Sequence, residues 1–220
     1  MLERHLQHLR IELPPPGETV DGARDRLGAK FPRGAARRMT HLGLMLGAAL
    51  EGLAVREEET IVYATTYAEA RALEDYLGSF PAPSPMLFQT SILPSAVQQA
   101  LIARQQPVRR FLPLTGRQRL VEHAILAALL DPADRVILLG GEERGTWMLA
   151  HGVASDRAFG WALSLERTAS GAAGRLGFQP GPPGTAEEPC PALTDFTDAL
   201  AARRDLRWRG GGGTFMLEWS

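Results

Sequence analysis

An entirely apolar segment in the middle of the chain is the feature that most constrains its fold. In the strand predicted at 135–139, Arg135 is followed by the apolar run Val136-Ile137-Leu138-Leu139, and Gly140-Gly141 come next. Residues 117–130, just before them, carry apolar side chains at steps of three and four, which is the period of a helix. A strand without a polar face must be covered on both sides. The sequence therefore predicts an α/β layered domain.

The rest of the chain continues this alternation of strands and helices. An N-terminal strand around Leu6 and Leu9 runs into an irregular loop at Pro14-Pro15-Pro16. The predicted helices cover 34–54, 67–78, 94–104, 117–130 and 192–204, and the predicted strands cover 60–65, 108–114, 135–139, 158–165 and 206–219, the last interrupted by glycines at 210–213. A rigid connection is expected at 80–85, a glycine-rich turn at 171–177 and a proline- and glycine-rich loop at 180–191.

Composition excludes several functional classes. The 24 basic and 25 acidic residues give a net charge of -1, which offers no argument for nucleic acid or an anionic membrane as partner. A single cysteine, Cys190, excludes an intramolecular disulfide and a cysteine-rich metal site. No apolar run approaches the 18 residues of a membrane span, and the first 30 residues lack a signal peptide. We therefore expect a cytoplasmic protein.

Catalytic groups are scarce. Cys190 lies between two prolines without a histidine nearby in sequence, and no serine lies in a G-x-S-x-G pattern. Neither Gly140-Gly141 nor the glycine run at 210–213 belongs to a phosphate-binding motif. From the residues alone, the chain is an α/β domain without a recognisable catalytic group, and neither a cofactor nor a metal is expected.

One segment resembles the nucleophile region of β-ketoacyl synthases. Residues 107–141 read PVRRFLPLTGRQRLVEHAILAALLDPADRVILLGG. In that family a strand leads to T-A-C-S-S, and an alanine-rich helix, an aspartate, an apolar strand and G-G follow. Leu120 matches the leucine four residues beyond the family's cysteine, so Gly116 occupies the cysteine position. The resemblance implies that the nucleophile is absent.

The resemblance extends over residues 31–166, to the short ketosynthase-like proteins of bacterial aryl polyene pigment clusters. It rests on Arg37-Arg38-Met39, the strand and helix from Tyr63 to Glu69, the segment from Ser84-Pro85 to Ser91, and residues 158–166. Two features depart from the pattern. Ile92-Leu93-Pro94 stands where many relatives have a histidine, and the histidines of the ketosynthase second half have no visible counterpart.

This resemblance implies a truncated thiolase-like fold with a mixed sheet covered by helices. We expect a single domain over 1–220, with a ketosynthase-like core at 31–166 and a loop-rich C-terminal extension at 167–220. It also implies a non-catalytic subunit, similar to a chain length factor, that pairs with a full-length β-ketoacyl synthase and meets acyl carrier protein only indirectly. The product would be a polyene, polyketide or fatty-acid-type chain.

The resemblance assigns roles to two sets of apolar residues. The strand before the nucleophile pairs across the two-fold axis in ketosynthase dimers, which implies an interface at Val108, Phe111, Leu112 and Leu114. Residues that could face the partner's tunnel are Phe88, Ile92, Leu93 and Val97, with ordinary core packing as the alternative. Two other functions stay open: a degenerate thiolase-fold acyltransferase that uses a serine such as Ser91, and a homodimeric scaffold.

Overall fold

The computed structural model describes residues 1–182 and 186–220, and their strands form one eight-stranded mixed sheet. The order across the sheet is β3-β2-β4-β5-β1-β6-β8-β7. The strands are β1 Leu2–Glu12, β2 Thr60–Thr65, β3 Arg110–Thr115, β4 Arg135–Glu142, β5 Phe159–Glu166, β6 Gly174–Pro180, β7 Leu206–Gly210 and β8 Gly213–Trp219. The helices are α1 Val20–Gly28, α2 Arg33–Ala36, α3 His41–Ala49, α4 Ala70–Gly78, α5 Pro85–Thr90, α6 Ser95–Ala103, α7 Leu120–Leu130 and α8 Leu193–Ala201, with a 3-10 helix at Trp147–His151.

Three neighbouring strands are parallel, and the others pair antiparallel. In the parallel part, Val62 of β2 lies opposite Leu112 of β3 on one side and Leu138 of β4 on the other. Helices connect β2 to β3 and β3 to β4, as parallel pairing requires. The carboxyl ends of β2, β3 and β4 therefore meet at one edge, which is where open α/β sheets usually place their sites.

Helix α3 forms the centre of one covering layer. All nine of its residues are buried, and it packs against α1, α6 and β5. A helix that is apolar on every side is one surrounded by protein. The cluster around it includes Ile61, Tyr63, Ile137 and Leu139, which are the alternate residues of β2 and β4 that face this layer.

Helix α7 organises the other face, and the sheet curls around it. It contacts β3, β2 and β4 on one side and β1 and β6 on the other. These strands span five spacings of about 4.8 Å, far more than the roughly 10 Å width of a helix. A flat sheet could not reach α7 from both ends. The strands β6, β8 and β7 thus close over α7 and α8 in one apolar cluster with Trp161, Phe196 and Phe215.

The predicted fold class is confirmed, with several local corrections. The region predicted as an irregular N-terminal loop contains α1. Thr19 caps this helix, and its hydroxyl accepts from the Gly22 amide. The single helix predicted at 34–54 is α2 and α3, because the Thr40 hydroxyl caps a new helix at the Gly43 amide. The rigid connection predicted at 80–85 leads into α5, a helix that the sequence did not predict.

The glycine-rich turn predicted at 171–177 is mostly the strand β6. A Cβ on Gly174 would lie 2.5 Å from the main-chain oxygen of Glu218, so the glycine permits close pairing with β8. The sheet extends beyond the ketosynthase-like core expected at 31–166. It includes four strands outside that range: β1, β6, β7 and β8. None of the helices in the described residues has the length and apolar character that crossing a bilayer needs.

Candidate functional site

Gly116 lies at the junction between β3 and α7, at the carboxyl edge of the parallel strands. Its φ is +148°, a conformation that residues with a Cβ rarely adopt, and no heavy atom lies within 4 Å of where a Cβ would stand. Helix α7 begins only at Leu120, after Arg119 at a φ of 57°. The position is therefore open in space but displaced from the helix N-terminus that would lower the pKa of a thiol.

The polar side chains beside Gly116 form hydrogen bonds to the loop that follows β2. The Thr115 hydroxyl donates to the main-chain oxygen of Thr66 at 3.5 Å. The Arg117 guanidinium donates to the Tyr67 hydroxyl at 3.2 Å and lies 5.4 Å from the centre of that ring. These contacts join the ends of β2 and β3 and leave no nucleophile–base pair at the junction, among the residues that the structure describes.

Glu142, at the end of β4, fixes the loop after β2. One carboxylate oxygen accepts from the Thr66 amide and from the Thr65 hydroxyl, the latter at 3.3 Å. The side chain is fully buried, and burial raises its pKa to about 7 despite these hydrogen bonds. Glu142 is therefore a buried acid that is about half protonated at neutral pH.

Glu69 holds the start of α6 in a similar way. Its carboxylate accepts from the Ala96 amide at 3.1 Å, in the first turn of that helix. Burial, together with the nearby Glu142 and Glu143 carboxylates, raises the pKa of Glu69 to about 7. Two acids with raised pKa values thus lie close together under the carboxyl edge.

Glu74 fixes the third loop at this edge, and its pKa is shifted in the opposite direction from those of Glu142 and Glu69. It accepts from the Thr146 amide at 2.8 Å and the Met148 amide at 2.7 Å, so it caps the 3-10 helix. Burial acts to raise the pKa of Glu74, but these hydrogen bonds outweigh it and the pKa falls below its usual value. Sequence reasoning missed all three glutamates; the only signal was an acid directly after the apolar strand, at Glu142.

The four residues expected to face a tunnel divide into two groups. Phe88 and Ile92 are 48% and 49% exposed, on and just after α5. Leu93 is half-buried against the α3 cluster. Val97 is fully buried, since the inward face of α6 runs through Ala96, Val97 and Ala100. Val97 therefore packs in the core of this chain, whereas Phe88 and Ile92 are half-exposed.

The strand expected at the interface is an edge strand. β3 pairs only with β2 among the described strands, so its outer backbone groups face outward. Leu112 is 42% exposed, and Phe111 and Leu114 are half-buried against opposite faces of the sheet. Val108 precedes the strand and is half-buried on the α3 cluster, so it belongs to the margin of this edge.

Several exposed apolar side chains lie in the segment that leads to this strand. Of the thirteen large apolar side chains that are exposed in the described residues, seven lie between 77 and 112: Leu77, Phe80, Met86, Phe88, Ile92, Ile102 and Leu112. An open groove of about 780 Å³ between α6 and β3 is lined by Ile102, Val108 and Phe111. We call these seven residues with the outer edge of β3 the β3 surface. Exposed apolar side chains around an open groove are typical of interaction sites.

Ser91, the serine of the acyltransferase alternative, is used within its own segment. Its hydroxyl donates to the main-chain oxygen of Phe88 at 2.8 Å. In the described residues no histidine or carboxylate contacts it, and activation of a serine requires such a base. Likewise, within 1–182 and 186–220 no three His, Cys, Asp or Glu side chains are grouped to hold a metal ion.

Comparison with solved structures identifies the fold. No family model and no curated protein matches the chain. A structure of a ketosynthase (ApeO) in complex with its chain length factor (ApeC) from Xenorhabdus doucetiae matches with a TM-score of 0.67 and 15% identity, over 99% of this chain and 100% of the matched chain. The chain has the thiolase-like ketosynthase fold.

A β-ketoacyl synthase from Burkholderia phymatum has this fold too. It matches with a TM-score of 0.57 and 13% identity, over 85% of this chain and 66% of the other. The chain in the ApeO–ApeC structure is covered completely and is thus similar in length to this one, whereas the Burkholderia enzyme extends beyond the matched part. The resemblance in sequence around Gly116 and the likeness in structure therefore point to the same fold.

Proposed function

We propose that this chain is a non-catalytic, chain length factor-like subunit of a β-ketoacyl synthase. It would pair with a full-length ketosynthase in the cytoplasm and shape the cavity in which that enzyme extends a polyene, polyketide or fatty-acid-type chain. Carrier protein would deliver substrate to the partner rather than to this chain. Residues 1–220 would act as one unit, with 31–166 as the ketosynthase-like core.

The observation that carries the proposal is glycine at the strand–helix junction of a ketosynthase fold. Condensation needs an ionised thiol there, because the thiolate is the nucleophile that takes up the acyl chain. Gly116 has no side chain, and α7 starts four residues later. A chain that keeps this fold but lacks the nucleophile can still contribute to condensation by binding a catalytic partner through its surface.

The β3 surface supports pairing through a strand edge. An exposed edge with unpaired main-chain groups is a template for another strand, and natural proteins cover or block such edges. The exposed Leu112 lies on this strand, and the groove between α6 and β3 adjoins it. Phe88 and Ile92 then stand where they could enter a partner's cavity.

Co-expression with a full-length β-ketoacyl synthase from the same organism tests the proposal. We expect the two chains to purify together, with native mass spectrometry giving one copy of each. Leu112→Glu should abolish the complex, because it puts a charge into the apolar edge. Leu13→Glu is the matched control, since Leu13 is equally exposed, at 42%, and lies beyond β1. Equal loss in both variants, or no complex for the wild type, contradicts the proposal.

A further inference from the structure

A cavity of about 330 Å³ lies where α1, α4 and α5 meet the segment that leads into α3. Its volume is at the lower end of the range of roughly 300–1,000 Å³ that is usual for small-molecule sites. The arginine, histidine and acidic residues of its lining are Arg24, Arg37, Arg38, His41, Arg71, Asp75 and Glu143. Four arginines therefore stand against two carboxylates, and the lining carries a net positive charge. We call this cavity the arginine pocket.

Three of the four arginines have no carboxylate partner. Arg71 is already paired, with Glu74 at 3.2 Å and with Asp75 at 2.9 Å. Within 1–182 and 186–220, no ion pair neutralises the other three, which are Arg24, Arg37 and Arg38. Their positive charges are therefore available to a ligand in the pocket.

Main-chain contacts hold two of these guanidiniums and leave most of their donors unused. Arg24 Nη2 donates to the main-chain oxygen of Met39 at 3.2 Å, and Arg38 Nε donates to that of Gly34 at 3.1 Å. A guanidinium has five N–H donors. The other N–H groups of both side chains have no protein partner in the part of the chain that the structure describes. Because the partners are neutral, both side chains also keep their full charge.

His41 is the most buried polar side chain of the lining. It is the first residue of α3, is 5% exposed and borders a second cavity as well. Its Nδ1 lies 3.6 Å from a carboxylate oxygen of Glu143, while its Nε2 is buried without a hydrogen-bond partner among the described residues. Buried polar atoms in native proteins are nearly always hydrogen-bonded, to protein, water or a ligand. The unpartnered Nε2 is therefore a second indication that this pocket holds a polar ligand.

We propose that the arginine pocket binds the phosphate group of a small molecule. A phosphate monoester carries nearly two negative charges and three acceptor oxygens, which suits three unpaired guanidiniums and a buried imidazole. A single carboxylate would leave more of the positive charge uncompensated. Met39, Met86 and Leu87 also line the pocket, so the rest of the ligand would contact apolar side chains. The inference goes beyond the proposed function and does not depend on a ketosynthase partner.

Isothermal titration calorimetry of the full chain tests the proposal, with inorganic phosphate, glycerol 3-phosphate and acetate as probes at constant ionic strength. We expect one saturable site for each phosphate compound, with a dissociation constant of about 1 mM or lower. Acetate should bind at least about tenfold more weakly, because it offers one charge and two oxygens. Added sodium chloride should weaken phosphate binding, since salt screens the arginines.

Removal of single arginines locates the site. Arg37→Ala and Arg38→Ala each delete one unpaired guanidinium, and both residues are exposed, so the fold should persist, which circular dichroism verifies. Each variant should bind both phosphate compounds about tenfold more weakly, which corresponds to about 1.4 kcal/mol. Arg207→Ala is the matched control, because Arg207 is exposed too and lies on β7, at the far edge of the sheet. This control should bind phosphate as the wild type does.

Three results overturn the inference: no saturable phosphate binding, acetate binding as tight as phosphate binding, or the same loss in Arg207→Ala as in the pocket variants. Failure of glycerol 3-phosphate to bind where inorganic phosphate does would equally exclude a small phosphorylated molecule. All of these measurements use the isolated chain. Phosphate binding without co-purification of a ketosynthase would therefore contradict the proposed function alone.

Discussion

Replacing Glu142 by glutamine should make the stability of the protein less dependent on pH between pH 5 and 8. The folded state raises the pKa of this buried carboxyl from 4.5 to about 7. Below 4.5 the group is protonated in both the folded and the unfolded chain. Between 4.5 and 7 the folded chain binds more protons than the unfolded chain, so the free energy of unfolding falls as the pH rises. Above about 7 the loss is complete.

The magnitude follows from the rise in pKa. At 1.36 kcal/mol for each pH unit, a rise from 4.5 to about 7 corresponds to roughly 3 kcal/mol of stability lost between pH 5 and 8. Glutamine keeps an oxygen that accepts from the Thr66 amide and the Thr65 hydroxyl, and it cannot ionise. The variant should therefore escape this loss. Relief of Glu69, whose pKa the Glu142 carboxylate raises, acts in the same direction.

Urea unfolding of both proteins from pH 5 to pH 8 measures the effect. The wild-type midpoint should fall across this range, and the Glu142→Gln midpoint should fall less. Glu74→Gln is the matched control, because hydrogen bonds lower the pKa of Glu74 below its usual value. That variant should be destabilised at pH 8. Parallel curves for the wild type and Glu142→Gln would refute the account of a buried ionisable acid.

Two further predictions concern acyl chemistry. Phe88→Ala and Ile92→Ala should each lengthen the product of the reconstituted complex and lower the melting temperature only slightly. Both side chains are half-exposed, and surface substitutions usually change stability by about 0.5 kcal/mol or less. Earlier melting with an unchanged product length would show that the two side chains serve packing instead. The isolated wild-type chain and the Gly116→Cys variant should both take up no acyl group from malonyl- or acetyl-carrier protein. Position 116 has a φ of +148° and α7 begins only at Leu120, so no helix N-terminus lies there to activate a thiol. A stable adduct detected by intact-protein mass spectrometry, above all on Ser91, would contradict this.

Periodic apolar residues made much of the fold predictable from the sequence. β2, β4, α6 and α7 lie close to their predicted ranges, because their side chains are buried and repeat with the period of the element. Helix α1 lacks this signal, since only Ala23 and Leu27 of its nine residues are buried. Its capping threonine was the remaining clue.

The boundaries between helices and the order of the strands in the sheet depend on interactions that the local sequence pattern does not show. The apolar period runs through Thr40 without interruption, and only the hydroxyl contact to Gly43 reveals where α3 begins. The placement of β1 between β5 and β6 arises from pairings with strands that lie far away along the chain, such as Glu12 with Gly160 and Leu2 with Phe178. The helices and strands were therefore easier to predict from the sequence than the pairing of the strands.

The candidate site was predictable only where the sequence resembles a family. That resemblance located Gly116 and the strand before it, and the structure places this strand at the edge of the sheet. Burial then separated Val97 from Phe88 and Ile92, which the apolar character of all three could not do. The buried glutamates at the carboxyl edge could not be predicted, because their role is set by the loops that they contact.

Hydrogen–deuterium exchange of β3, in the free chain and in its complex with a ketosynthase, tests the central claim most directly. In the free chain the outward amides of β3 should exchange rapidly, because this edge has no strand beside it. In a one-to-one complex they should become protected, while those of β7, at the opposite edge, should not change. A complex in which the β3 amides exchange as they do in the free chain would contradict the account.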